Sequence, residues 1–73
     1  MTRGHINPLD VWFRFDSDDD EIPTYEANTF KVTGGWEIHW YHNDVGQVTV
    51  ESFHVLSDAL AWYEANGYQD FTA

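Results

Sequence analysis

Residues 36 to 53, WEIHWYHNDVGQVTVESF, constrain the fold more than any other stretch. Two runs of period-two alternation flank a turn, the pattern of an antiparallel hairpin. Asn43 suits the first position of a type I turn and Gly46 its left-handed end, so Asp44-Val45-Gly46 is expected as a three-residue loop. That length sets a register in which His42 faces Val48, Trp40 faces Val50, Ile38 faces Ser52 and Trp36 faces His54. This side is apolar except at its ends and is expected to form the core. The other side pairs Tyr41 with Thr49, His39 with Glu51 and Glu37 with Phe53, and is expected to face solvent.

The remaining elements fit around this hairpin. Leu9 to Phe15 alternates Val11, Phe13 and Phe15 with Trp12 and Arg14, so a first strand with aromatics on both faces is expected. A short second strand, Thr29 to Thr33, sets Phe30 and Val32 against Lys31, and Gly34-Gly35 then supplies a turn or bulge. VLSDALAWYEANG predicts a helix from about Asp58 to Asn66. Ser57 would cap it, Asp58 would sit at the positive end of its dipole, and Gly67 would take the left-handed stop position. Leu56, Ala59, Leu60 and Tyr63 share one helical face with Trp62 on its flank, expected to lie across Trp36, Ile38 and Trp40. Tyr68 and Phe71 are expected to tuck the tail against the helix.

The sum is an α+β domain, a small antiparallel β-meander of three to four strands with one C-terminal α-helix packed on one face. One domain spans residues 1 to 73, with residues 1 to 8 expected as a flexible N-terminus and residues 16 to 28 as a mobile acidic loop. At this length only about 60% of the unfolded surface is buried. With no cysteine, disulfides and thiolate zinc sites are excluded, so aromatic side chains, 18% of the chain, must supply the core. The start MTRGHINPLD lacks the apolar run of a signal peptide, and no run approaches the roughly 20 residues of a membrane span, so a cytoplasmic location is expected.

Charge narrows the function. Thirteen acidic residues stand against Arg3, Arg14 and Lys31, for a net charge of −10. Nucleic acid and anionic membranes repel such a chain, because binding either draws on clustered cations. Five carboxylates crowd into FDSDDDEIP: Asp16, Asp18, Asp19, Asp20 and Glu21. Asp16, Asp18 and Asp20 match the first, third and fifth positions of an EF-hand loop. Glu21 then replaces the required glycine and Ala27 the bidentate glutamate, leaving at most weak divalent-cation binding.

Other chemistry is poorly provided for. His39 and His42 point to opposite faces of their strand, and only His39 with Glu51 comes together on one face, too few ligands for a catalytic zinc. No serine sits in a nucleophile elbow. No enzymatic activity and no cofactor are therefore expected.

What remains is an acidic surface on an aromatic scaffold. Its expected partner is a basic protein, including one that itself binds nucleic acid, which the chain docks and inhibits. The candidate contact residues are Asp16, Asp18, Asp19, Asp20, Glu21, Tyr25, Glu26, Glu37, Tyr41 and Glu51. Tyrosines are included because they are enriched at interface hot spots. In size and charge the chain resembles the DNA-mimic inhibitors carried by phages and mobile elements, which implies a viral protein acting in the host cytoplasm. The competing expectations are a general adaptor or a homodimer joined through a strand edge, its acidity serving solubility.

Overall fold

The structure, a computed structural model, describes residues 8 to 17 and 19 to 72. It is an α+β domain: a five-stranded antiparallel sheet with a single helix near the C-terminus. The strands are β1 (Trp12–Arg14), β2 (Tyr25–Val32), β3 (Gly35–His42), β4 (Thr49–Phe53) and β5 (Gln69–Asp70), and the helix α1 (Leu56–Ala65) lies between β4 and β5 in the chain. Their spatial order is β4-β3-β2-β1-β5. The two-residue β5 adds a strand to the expected meander and places the tail beside β1, with Trp12 opposite Asp70 and Phe13 opposite Gln69.

The β2–β3 hairpin is the longest ladder, running from Tyr25 opposite His42 to Val32 opposite Gly35. Ladder pairing therefore claims Tyr25, Glu26, Ala27 and Asn28, which the charge run suggested were loop, and the acidic loop ends at Thr24. At the turn Gly34 has φ +86° and open space around it, the conformation that favours glycine. Gly35 is kept by a different constraint. A Cβ there would sit 2.2 Å from the Phe53 carbonyl oxygen, because the β4 backbone passes directly over it.

The β3–β4 register differs from the expected one by a single residue. Trp40 stands opposite Thr49, His39 opposite Val50, Ile38 opposite Glu51, Glu37 opposite Ser52 and Trp36 opposite Phe53. Gly46 is left-handed as expected, at φ +79°. The His42 carbonyl, however, accepts from both the Val45 amide at 3.1 Å and the Gly46 amide at 2.8 Å. Extending the register makes the loop four residues, Asn43 to Gly46, not three. A one-residue slip turns every β4 side chain over. Thr49, Glu51 and Phe53 now share the helix side with Trp36, Ile38 and Trp40, while Val50 and Ser52 share the other with Glu37 and His39. The expected His39–Glu51 pair is thereby broken.

Helix α1 begins two residues earlier than predicted. Val55, with extended φ and ψ, is its N-cap and makes no side-chain cap bond, so Ser57 lies inside the first turn and caps nothing. Asp58 does occupy that turn, where the helix dipole favours it. The C-terminal stop is as expected. Gly67 is left-handed at φ +76°, the Tyr68 amide donates to the Tyr63 carbonyl and the Gly67 amide to that of Glu64, the paired bonds of a Schellman motif.

The core is formed by Trp12, Ala27, Ile38, Ala59, Tyr63 and Tyr68, with Tyr25, Trp40, Phe53 and Trp62 packed around it. Trp12 is 9% exposed and stacks on Tyr63 with ring centroids 4.0 Å apart and planes 4° from parallel. Trp40 and Trp62 are half-buried at the core's margin, and Trp36 is half-buried outside it. On the helix, Ala59 and Tyr63 are buried but Leu56 and Leu60 are 37% and 40% exposed, so the predicted apolar face is only half used.

One polar chain threads this core. Asp10 accepts from Trp12 Nε1 at 2.6 Å, from the Thr29 amide at 2.8 Å and from the Thr29 hydroxyl at 3.0 Å. The Thr29 and Tyr63 hydroxyl oxygens are 2.7 Å apart. A carboxylate only accepts, so the Thr29 hydroxyl donates to Asp10 and the Tyr63 hydroxyl donates to Thr29.

Burial pushes the Tyr68 hydroxyl up to about 12 while Arg14 pulls it part of the way down. Burial likewise raises Tyr63 well above the ordinary tyrosine value. Both raised values stabilise the fold fully below the unfolded tyrosine pKa of about 10, and that contribution is lost as pH rises through the folded values. We expect tyrosinate absorbance to show these two groups ionising only with unfolding, near or above pH 12. Full ionisation of all tyrosines near pH 10 in the folded protein would contradict the buried network.

Candidate interaction site

Residues 15 to 24 connect β1 to β2 and carry the acidic run. Several hydrogen bonds tie this loop to its surroundings. Its neck is closed by the Thr24 amide donating to the Arg14 carbonyl at 2.9 Å and by the Asp16 amide donating to Thr24 Oγ1 at 3.2 Å. Ser17 organises its tip, accepting from the Asp19 amide at Oγ and from the Asp20 amide at its carbonyl. Asn43 fastens the loop to the β3–β4 turn, its amide donating to the Thr24 carbonyl and its side chain to the Pro23 carbonyl.

That fastening gathers charge. Asp16 and Asp20 from the loop and Asp44 from the turn line one open hollow of 340 Å³, together with Ile22 and His42. Asp19 and Glu21 are exposed on the same loop. Asp18 lies outside the described residues, as do residues 1 to 7 of the expected flexible N-terminus. Among the described residues no three histidine or carboxylate side chains converge in a way that could hold a metal ion.

The second component is the sheet face away from α1. Residues opposite one another in an antiparallel ladder share a face, so Phe13, Glu26 and Tyr41 form one row. Asn28, His39 and Val50 form the next, and Phe30, Glu37 and Ser52 the third. At the β1 edge, Phe13, Phe15 and Phe71 make an aromatic triad with centroids 5.1 to 6.4 Å apart. Phe71 is 48% exposed on this open side and not tucked under the helix, a reversal of expectation. Val50, turned outward by the register, is also 48% exposed.

Polar groups are interleaved with these apolar ones. His39 Nε2 is 3.0 Å from Glu37 Oε1, and its ring lies 4.3 Å from that of Phe30. The Tyr41 hydroxyl is raised, first by partial burial and then by its hydrogen bond to Glu26 and the charge on that carboxylate.

Of the expected contact residues, then, Asp16, Asp19, Asp20 and Glu21 share the loop, and Glu26, Glu37 and Tyr41 share the open face. Tyr25 and Glu51 do not join them. Tyr25 packs on the covered side, beneath the Arg14 guanidinium at 4.2 Å and against Trp40. Glu51 is turned to that side by the register and accepts from Trp40 Nε1 at 3.3 Å. Lys31 stands opposite Trp36, also on the covered side. The residues that the sequence did not flag are Phe13, Phe71 and Val50. Alternation in β1 was a signal for Phe13; for the other two there was none without the register.

No helix among the described residues is long and apolar enough to cross a membrane. Comparisons with protein-family models, with curated proteins and with solved structures find no match.

Proposed function

We propose that the chain is a non-enzymatic interaction protein that docks a basic protein, of the kind that binds nucleic acid, and blocks it. The observation that supports this most directly is the concentration of carboxylates. Asp16, Asp19, Asp20, Glu21 and Asp44 are gathered at one end of the sheet, with Glu26 on the open face, while Arg14 and Lys31 both lie on the covered face. Carboxylates on a pinned loop keep their spacing and lose less freedom on binding than those of a free tail. Duplex DNA carries phosphate charge at about 1.7 Å of axis across both strands, and a crowded anionic loop presents the same sign of charge to a protein that binds it. A protein that grips such phosphates is the natural target, and the cytoplasm, the host's for a viral protein, is the setting that such a target implies.

The test is capture of partners from the source cell's lysate on immobilised protein, with washes at about 0.1 M and 0.5 M salt, where screening lengths shorten below about 10 Å. Basic proteins released by salt and by excess duplex DNA are expected. Reversing Asp19, Asp20 and Glu21 to Lys should slow association by about tenfold or more, since exposed charges act mainly on the on-rate. A complex held equally at both salt levels and indifferent to DNA would sink the proposal.

A further inference from the structure

On the covered side of the sheet, where the first three strands meet the C-terminal end of α1, four rings wall an open hollow of 90 Å³. The rings are Tyr25, Trp40, Trp62 and Tyr68, and Arg14 and Asn66 complete the lining. We propose that this hollow binds a small flat carboxylate, a carboxyl group carried directly on an aromatic ring, with Arg14 taking the carboxylate and the indoles the ring. The site uses none of the carboxylates of the acidic loop and stands apart from the reading given above.

The first observation is an uncommitted cation. Arg14 is half-buried with its Cζ 4.2 Å from the centroid of the Tyr25 ring, and its Cδ lies beside the backbone of Gly67. Among the described residues its guanidinium makes no hydrogen bond and no ion pair, although the chain has thirteen acidic residues. Nor does the end of α1 require it, because the carbonyls of Trp62, Tyr63 and Glu64 already accept from the amides of Asn66, Tyr68 and Gly67. A guanidinium held on a ring face keeps its N–H fork for a carboxylate, which it binds bidentately. The second observation is the character of the neighbouring polar groups. Every fully buried side-chain polar atom among the described residues has a partner. The Tyr68 hydroxyl has none printed by contact or ring, so it is open to the hollow it lines, within the field of Arg14 and of the Tyr25 hydroxyl. Both hydroxyls and the guanidinium can donate. Of the lining side chains only Asn66 is left to accept, its Nδ2 being taken by the Trp62 carbonyl at 2.8 Å. A fitting ligand therefore brings acceptors. The third is the wall. Centroids 6.0, 6.3 and 5.4 Å apart link Tyr25 to Trp40, Trp40 to Trp62 and Trp62 to Tyr68 in one series, a surface on which a flat ring stacks. A closed cavity of about 150 Å³ takes a whole benzene; this smaller, open one takes the carboxylate and the near edge of a ring. A cationic guest, the other usual occupant of an aromatic cage, would meet the charge of Arg14.

The experiment titrates the isotope-labelled full chain with benzoate and, in parallel, with benzamide, acetate and benzylammonium. Benzoate is expected to give saturable shifts at the amides of Arg14, Tyr25, Asn66 and Tyr68 and at the indoles of Trp40 and Trp62, and none at the indole of Trp36. Benzamide, which has the shape without the charge, and acetate, which has the charge without the ring, should each bind at least about tenfold more weakly. Benzylammonium should not enter. Arg14→Gln should abolish the benzoate shifts, and Arg14→Lys should retain only part of the binding, since an ammonium keeps the charge and loses the fork. Tyr68→Phe, which keeps the ring, should weaken binding severalfold. Lys31→Gln removes the other described cation, beside Trp36, and should change nothing. No saturable shift with benzoate, equal binding of benzamide, preference for benzylammonium, or benzoate shifts that survive Arg14→Gln each overturns the proposal. Equal loss in Lys31→Gln reduces the effect to net charge and overturns it too. If Arg14→Gln loses the folded amide pattern, Arg14→Lys and Tyr68→Phe decide, and full binding in both overturns the site. None of these outcomes bears on capture of a basic partner by the acidic loop, which is read by its own salt dependence.

Discussion

Tyr63→Ala is expected to remove about 3–5 kcal/mol of stability, the usual cost of truncating a buried aromatic. A domain of this size has about 4–11 kcal/mol in total, so the variant should lose roughly a quarter to all of its stability. Tyr63 is fully buried. Its ring stacks on Trp12, and its hydroxyl donates to Thr29, which donates in turn to Asp10. Removing the side chain therefore opens a cavity under β1 and unpairs a buried hydroxyl in the same step. Tyr63→Phe separates the two effects: it keeps the stack and loses one hydrogen bond, for about 1 kcal/mol. Urea unfolding followed by tryptophan fluorescence measures both. Near wild-type stability for Tyr63→Ala, or equal damage from Tyr63→Phe, would show that the stack is not what joins helix to sheet.

Gly35→Ala should be nearly as severe, through backbone and not side-chain packing. The new methyl would meet the Phe53 carbonyl oxygen at 2.2 Å, with the carbonyl carbon and the His54 Cα next nearest, and no flexible side chain can yield. Edge strand β4 must move away from β3 or the hairpin must re-register, a loss at or above the upper end of the about 1–3 kcal/mol typical of overpacking. Its neighbour serves as the control. Gly34→Ala meets nothing within 4 Å and is strained only by its φ of +86°, for about 1–2 kcal/mol. Amide spectra should show β4 resonances displaced in Gly35→Ala and preserved in Gly34→Ala. The reverse pattern would mean that the two strands do not cross at this point.

The adjacent glycines also illustrate what the sequence could express. A Gly-Gly pair announces a turn, and the turn is there, but nothing in the letters separates a residue needed for its φ from one needed for its missing Cβ. The same limit governs the hairpin. Gly46 is legible as a left-handed residue, yet its place as third or fourth in the loop is decided by which amides reach the His42 carbonyl. One residue of difference moved Glu51 out of the candidate contact set and brought Val50 in. An apolar Val48-Val50 pair resembled core because pattern alone cannot know that β4 is an edge strand and that the centre is already filled by Trp12 and Tyr63. Charge was more readable. The clustering of Asp16 to Glu21 needs no tertiary information, whereas Asp44 joins it only through the bonds of Asn43 to Pro23 and Thr24.

The position of β1 has a consequence for how the molecule comes together and comes apart. Strands β2, β3 and β4 pair with sequence neighbours through short turns, so their loops close early and at small entropic cost. β1 is sandwiched between β2 and the tail: the Val11 amide donates to Thr72 Oγ1, 61 positions away, and the Val11 carbonyl accepts from the Phe71 amide. This last seam behaves as a clasp that can shut only when helix and tail are both in place. The Phe13–Phe15–Phe71 platform spans that clasp and does not exist in a half-formed sheet. Its assembly and the closing of the clasp are one event.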